Sequence, residues 1–311
     1  MTELQRYLAE EVAEDHADGI ITRREAMRRL GLLGLGSTAA TALLAGPVAQ
    51  AGAHERHGGH GSHGGGHADG TVVEWAPVAT EAITFPGPNG TLMAAFAAAA
   101  KPVGGVLVIH ENRGLTDHIR VVAGRFAAAG YSALAIDLLS EEGGTAAIGD
   151  EAQVAAILAG VPPERFDADM KAGVTELAKR LPGKRLGAIG FCFGGGMVWR
   201  LLAAGERRLS AAAPFYGPFP EGGDLRHAEA AVLGVYGGLD ARVGATRPAA
   251  QAAIAAAGLK SRILIFTEAD HAFFNDTGAR FNAPAAAEAY RQTLRWFERF
   301  VAGGKSHRRS R

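Results

Sequence analysis

Leu186-Gly187-Ala188-Ile189-Gly190-Phe191-Cys192-Phe193-Gly194-Gly195-Gly196-Met197-Val198-Trp199 is the stretch on which the fold turns. An apolar run suited to a buried strand meets Cys192, and a glycine cluster then opens a run with helical pattern. Physically this reads as a strand, a sharp turn and a helix with one residue at the tip. Gly190 and Gly194 flank that tip as G-x-C-x-G, the nucleophile-elbow pattern with Cys in the place of Ser. The turn is so tight that side chains at the flanking positions would clash, and glycine tolerates backbone angles that other residues avoid. Cys192 is the chain's only cysteine, so it forms no intramolecular disulfide. A plain buried core thiol is the bland alternative; the elbow context outweighs it.

The sequence before this domain is of a different kind. Residues 1 to about 19 are acidic and polar. Thr22-Arg23-Arg24-Glu25-Ala26-Met27-Arg28-Arg29 follows, then an apolar small-residue run from Leu30 to Ala45, then alanines at A-x-A spacing (Ala49, Ala51, Ala53). This is the layout of a signal peptide, and the paired arginines point to the bacterial twin-arginine (Tat) export machinery as partner. The expectation is an exported protein, periplasmic or extracellular; otherwise it is cytoplasmic. The competing reading is an amphipathic helix. The apolar run is too short and too rich in Gly and Ala for a stable membrane span, which needs about 20 residues. Residues 54–70 are Gly-rich, as flexible linkers are, and carry His54, His57, His60, His63 and His67. These five offer a weak imidazole site for a metal ion, with a solvated tether as the plainer reading.

The expected organisation is therefore a leader and signal segment at 1–53, a linker at 54–70, one catalytic domain at 71–303 and a basic tail at 304–311. Lys+Arg and Asp+Glu are both 32 in the 311 residues, so charge gives no case for nucleic acid.

Within the domain, apolar strand-like runs alternate with helical ones. Strands are expected near Val72–Trp75, Ala82–Phe85, Leu92–Ala100, Val106–His110, Ser132–Ile136, Leu186–Phe191, Ala211–Tyr216, Ala231–Tyr236 and Arg262–Phe266. Pro86–Gly90 reads as a hairpin turn and Gly143-Gly144 as a surface excursion. Helices are expected over Asp117–Ala129, Gln153–Leu158, Asp167–Leu181, from the elbow to about Ala204, Arg247–Ala257 and Ala285–Val301. This alternation predicts an α/β fold, a mostly parallel sheet with helices on both faces. Sites in such sheets lie at the carboxyl ends of strands.

Three reactive residues fall at such ends. Cys192 follows the elbow strand, Asp240 follows Ala231–Tyr236, and His271 follows Arg262–Phe266. Nucleophile, acid and base in this chain order match the α/β-hydrolase triad. The imidazole would exchange the thiol proton, and the carboxylate would fix its tautomer. Asp270 is a competing acid, expected to point elsewhere, and Asp137 is expected to brace a loop or cap a helix. His110-Glu111-Asn112-Arg113-Gly114 sits where such folds supply one oxyanion N–H, which nominates the amides of Asn112 and Phe193. Glu111 could accept the thiol proton or hold Cys192 neutral until substrate arrives. A salt bridge with Arg113 is its bland reading.

His110-Glu111-x-x-Gly114, Gly190-Phe191-Cys192-Phe193-Gly194-Gly195, Phe215-Tyr216-Gly217, Gly237-x-x-Asp240 and His271-Ala272-Phe273 together resemble the dienelactone hydrolase (carboxymethylenebutenolidase) family, over roughly residues 75 to 303. The resemblance implies an α/β-hydrolase that opens a small ester or lactone through an acyl-enzyme on Cys192. It implies Asp240 and His271 as the rest of the triad, Glu111 as gate of the thiolate, Tyr216 near the substrate, and no metal or organic cofactor. The arginine that such enzymes carry shortly after the histidine is missing. The first one here is Arg280, and Arg113 and Arg280 are the candidate replacements. The main competing function is a non-catalytic hydrolase fold that binds metal through its His-rich segment; thiol redox sensing is a third reading.

Overall fold

The computed structural model describes residues 1–46 and 76–303. The strand expected at Val72–Trp75, the A-x-A alanines, the His-rich tract and the basic tail lie outside them. The chain divides into two compact units, residues 1–74 with 155–160, and residues 75–154 with 161–311.

The first unit carries helices α1 (Glu3–Ala17), α2 (Arg23–Leu32) and α3 (Ser37–Ala45). A capping box between Thr2 and Gln5 starts α1. The paired Arg23 and Arg24 open α2, whose N-cap hydroxyl on Thr22 accepts from the Glu25 amide. The run Leu30–Ala45 is thus divided between the end of α2 and α3. No helix among the described residues is long and apolar enough to cross a membrane.

In the second unit, eight strands make one sheet: β1 (Glu81–Pro86), β2 (Thr91–Ala97), β3 (Gly104–Ile109), β4 (Tyr131–Asp137), β5 (Leu186–Phe191), β6 (Leu209–Phe215), β7 (Ala231–Gly237) and β8 (Ser261–Phe266). Their order is β1-β2-β4-β3-β5-β6-β7-β8. β1 with β2 and β2 with β4 are antiparallel; from β4 through β8 all neighbours are parallel. The Pro86–Gly90 turn closes the first hairpin, with the Gly87 amide donating to the Gly90 carbonyl at 2.7 Å. β3, β4, β5 and β7 are buried at every position, as interior parallel strands are.

Around the sheet lie α4 (Asp117–Ala128), α6 (Pro163–Arg180), α7 (Phe193–Ala203), α8 (Arg247–Ala256) and α9 (Ala283–Phe300), while α5 (Glu151–Gly160) precedes α6 in the chain and has its last six residues in the first unit. α6 begins four residues before the expected Asp167, because Pro163 at its first position has no N–H to lose. Phe166, Met170, Val174 and Leu177 form its buried stripe. Each such side chain contributes roughly 1.5–3 kcal/mol by leaving water. Gly105 of β3 lies against Leu177 and Leu181, while Gly104 lies against Val301 just past α9. Successive strand residues face opposite sides, so α6 and α9 cover opposite faces. α7 joins α6 through Phe193 and Phe166, with ring centroids 5.5 Å apart. α4 joins α9 through Phe126, 5.4 Å from Tyr290 and 5.8 Å from Phe297.

Between β5 and α7 stands Cys192 alone, at φ 57° and ψ −120°. A β-carbon on Gly190 would lie 2.1 Å from the Gly194 carbonyl oxygen, and one on Gly194 would lie 2.3 Å from the carbonyl oxygen of Ile109. These are backbone atoms of the crossing itself, which cannot step aside. Gly194→Ala is therefore expected to destabilise the protein by about 1–3 kcal/mol. Gly244→Ala meets nothing within 4 Å and should be near neutral. Thermal unfolding of both variants by circular dichroism checks this, and equal midpoints would contradict the tight crossing.

Candidate active site

The reactive groups gather at the carboxyl ends of β3, β5, β7 and β8. Cys192 is 2 % exposed. Its amide donates to the Phe215 carbonyl at 3.1 Å, and its own carbonyl accepts from Gly196 at 3.1 Å. These two bonds fix the strained tip between β6 and the first turn of α7.

Asp240 follows β7 and caps a one-turn helix, with Oδ1 accepting from the Val243 amide at 2.9 Å. Its other oxygen, Oδ2, lies 2.7 Å from Nδ1 of His271. Nδ1 therefore donates, and the second ring nitrogen is left for chemistry. A ring nitrogen of His271 and Cys192 Sγ lie within 4.8 Å of each other. Burial works against a charged His271, yet the nearby Asp240 carboxylate and the Cys192 thiolate hold its proton, so its pKa stands well above the ordinary range. Burial likewise pushes Asp240 up, but His271 outweighs it and the pKa ends below the usual carboxylate value. The structure thus brings Cys192, His271 and Asp240 together. Asp270 is turned aside: its Oδ1 accepts from the His271 amide at 2.7 Å, and its Oδ2 is 3.8 Å from Arg280.

The loop after β3 meets this group because Ile109 pairs with Gly190 in the sheet. His110 is fully buried and ties the loop down. Its Nδ1 donates to the Glu111 carbonyl at 2.6 Å and its Nε2 accepts from the Leu138 amide at 3.1 Å. One proton serves both bonds, so His110 is neutral, in keeping with the downward push of burial on its pKa. Asp137 braces the same region, accepting from the amide and hydroxyl of Thr145, each at 2.8 Å. Thr145 Oγ1 in turn accepts from the Leu115 amide at 2.9 Å. Asn112 lies in the turn closed by the Gly114 amide on the Glu111 carbonyl. Phe193 is the first residue of α7, where an amide has no intrahelical carbonyl to bond.

Glu111 is 4 % exposed. Its bland salt bridge with Arg113 is not made: Arg113 reaches Glu151 at 3.5 Å instead. Oε2 of Glu111 accepts from Asn275 Nδ2 at 2.6 Å. Burial raises its pKa, and His118, Arg113, the Asn275 hydrogen bond and His271 pull against that rise. Tyr216, at φ 33°, sets its ring edge-on to His271 with centroids 5.3 Å apart. Arg113 and Arg280, nominated for a substrate carboxylate, are both committed to carboxylates of this chain. The sequence reading missed Asn275, His118 and Asp276. The one signal was a polar Asn-Asp pair directly after the aromatic run Phe273-Phe274. His54, His57, His60, His63 and His67 lie outside the described residues.

The dienelactone hydrolase family pattern matches residues 92–301. A proposed carboxymethylenebutenolidase of Escherichia coli O157:H7 is 33% identical over 221 residues, covering 66% of this chain and 79% of that protein. Another so named, from Methylorubrum extorquens, is 30% identical over 238 residues, covering 70% and 80%. Among solved structures, a proposed dienelactone hydrolase of Klebsiella pneumoniae superposes with TM-score 0.62 at 29% identity, covering 71% of this chain and 98% of that one. With this fold and this arrangement at its strand ends, the chain belongs to the dienelactone hydrolase family, a group of α/β-hydrolases.

Proposed function

We propose that the protein hydrolyses a small ester or lactone through a thioester on Cys192. The observation that carries this reading is the Asp240–His271 pair at 2.7 Å beside a thiol whose backbone stands at φ 57°. A non-glycine residue held in that region costs about 1–3 kcal/mol and is kept where the surroundings enforce it, commonly at functional sites.

The reaction runs in two halves. Sγ attacks the carbonyl carbon, and the carbonyl oxygen takes the electron pair. The amides of Asn112 and Phe193 stabilise that oxyanion, by about 3 kcal/mol each where the donors are well aimed. The C–O bond then breaks, and the leaving alkoxide takes the proton from His271. Neutral His271 next removes a proton from water, which attacks the thioester. The acid leaves, and the thiolate and imidazolium are restored. Glu111 gates the nucleophile: before the first attack its carboxylate takes the thiol proton, leaving a Cys192 thiolate beside the His271 imidazolium, and as an acid it cannot. With Arg113 and Arg280 both engaged, an uncharged acyl group suits the site. The paired arginines and alanine spacing of the leader support delivery by twin-arginine export.

Replacing Cys192 by Ala should lower kcat on aryl esters about 10³-fold or more, with an unchanged circular dichroism spectrum. Mass spectrometry of the parent protein during turnover should find the acyl mass on Cys192. Parent-level activity in the Ala variant would end the proposal.

A second expectation concerns stability. The raised pKa of Glu111 means the folded state binds this proton more tightly than the unfolded chain does. Its contribution to stability is present below the ordinary glutamate range and is lost as pH rises through the folded value. Glu111→Gln removes the loss. Its melting point should exceed the parent's at pH 7–8, by about 2–4 °C for each kcal/mol relieved, and match it in acid. A gain that is the same at every pH would refute the buried-acid account.

The export reading is checked by replacing Arg23 and Arg24 with lysines. Protein should then stay in the cytoplasmic fraction, while the parent appears outside it without Met1. An intact Met1 on a cytoplasmic parent protein would overturn it.

A further inference from the structure

His110 touches the neighbourhoods of both amides assigned to the oxyanion, and the reaction above gives its side chain no part. It follows β3 and is fully buried. Its carbonyl oxygen abuts the start of α7: a β-carbon on Gly194, the residue after Phe193, would lie 2.5 Å from it. Its ring stacks on the Phe193 ring, with centroids 5.9 Å apart and planes at 24°. Toward Asn112, Nδ1 donates to the Glu111 carbonyl at 2.6 Å.

That carbonyl shares its peptide group with one of the two donors. The Glu111–Asn112 peptide is trans, and a planar trans peptide points its C=O and its N–H in opposite directions. Whatever holds the Glu111 oxygen therefore aims the Asn112 N–H. Two donors hold it, His110 Nδ1 at 2.6 Å and the Gly114 amide at 3.1 Å, and a carbonyl has two lone pairs to offer. Turning this peptide over would strip the carbonyl of both donors and set the Asn112 N–H against the protonated Nδ1. The ring is itself fixed at its far edge. Nε2 accepts from the Leu138 amide at 3.1 Å, and the Leu138 carbonyl accepts from Arg165 at 2.9 Å. A neutral imidazole suits this place because it donates from one ring nitrogen and accepts at the other within one rigid plane.

We propose that His110 is a positioning residue for the oxyanion: its Nδ1–H bond fixes the plane of the Glu111–Asn112 peptide and so aims the Asn112 N–H. The inference rests on the thioester reading, in which the Asn112 and Phe193 amides receive the oxyanion. His110 transfers no proton, since both of its nitrogens are engaged in the fold. It acts on the steps that form a tetrahedral oxyanion and leaves the reactivity of the thiol unchanged. Attack on the ester and attack of water on the thioester are both such steps.

The test compares two reactions of Cys192 in the full-length protein. Hydrolysis of an aryl ester passes through an oxyanion. Alkylation by iodoacetamide joins sulfur to a saturated carbon, releases iodide and forms none. His110→Phe keeps a ring for the Phe193 stack and removes both nitrogens. It should lower kcat about 10²-fold, the loss that follows when one oxyanion donor is removed, with KM and the alkylation rate near the parent's. His110→Asn puts an amide N–H where Nδ1 stood and leaves the Leu138 amide without its acceptor, so it should recover most of that kcat. It decides the matter if His110→Phe does not fold. Nitrogen NMR of the parent should show the His110 ring protonated at Nδ1 alone. The proposal is overturned by an unchanged kcat in folded His110→Phe, or by alkylation falling as far as kcat, the mark of a merely structural role. A folded His110→Asn with kcat down about 10²-fold, or a His110 ring protonated at Nε2, would also overturn it. Esterase activity surviving Cys192→Ala would instead defeat the thioester reading. Because alkylation needs no turnover, the two failures are distinguishable.

Discussion

Two ionisable side chains, Asp240 and His271, are each 2 % exposed and 2.7 Å apart. Removing such charges from water costs several kcal/mol per ion, offset only when each finds the other in good geometry. That requirement binds the loop after β7 to the loop after β8. It also fixes which nitrogen of His271 is turned from Asp240. The pairing stabilises the fold between two limits. On the acid side it is lost as pH falls through the lowered pKa of Asp240; on the alkaline side it is lost as His271 releases its proton above its ordinary range.

The thiol is presented to that pair by backbone strain rather than by a long side chain. Cys192, Tyr216 and Ala272 are the non-glycine described residues with positive φ. Each lies at the end of a strand or beside His271. The surrounding hydrogen bonds over-determine them. Phe215 holds the Cys192 amide, and Val235 holds the Tyr216 amide at 2.7 Å. A sheet of buried, regularly paired strands can hold such positions because slipping any one strand would turn its apolar side chains to the opposite face.

Most of this fold was legible because the strands are continuous apolar runs bounded by glycine and charge. Each expected strand from Ala82 to Phe266 corresponds to a strand of the sheet. The order Cys192, Asp240, His271 could be read for the same reason: strand ends are visible in sequence, and parallel strands put their ends on one side. Other features leave no local trace. The bond from Asn275 to Glu111 spans 164 residues, and a lone amide has no periodicity to reveal it. Arg113 and Arg280 looked suitable for a substrate anion because a sequence shows which charges exist but not which are already paired. The one-turn helices Thr145–Ile148 and Ala241–Gly244 are too short to produce a pattern.

The short stretch from His271 to Asp276 supplies one member to each of two carboxylate–histidine pairs. Asp240 lies 2.7 Å from His271, and Asp276 lies 2.9 Å from His118. A lone buried glutamate next to a thiol would simply keep its own proton, since burial favours the neutral acid. Asn275 adds direction by occupying Oε2 and leaving Oε1 as the oxygen available for a proton. The residues that follow His271 in the chain hold Glu111 through Asn275 and His118 through Asp276, so a change of that loop would alter all three together.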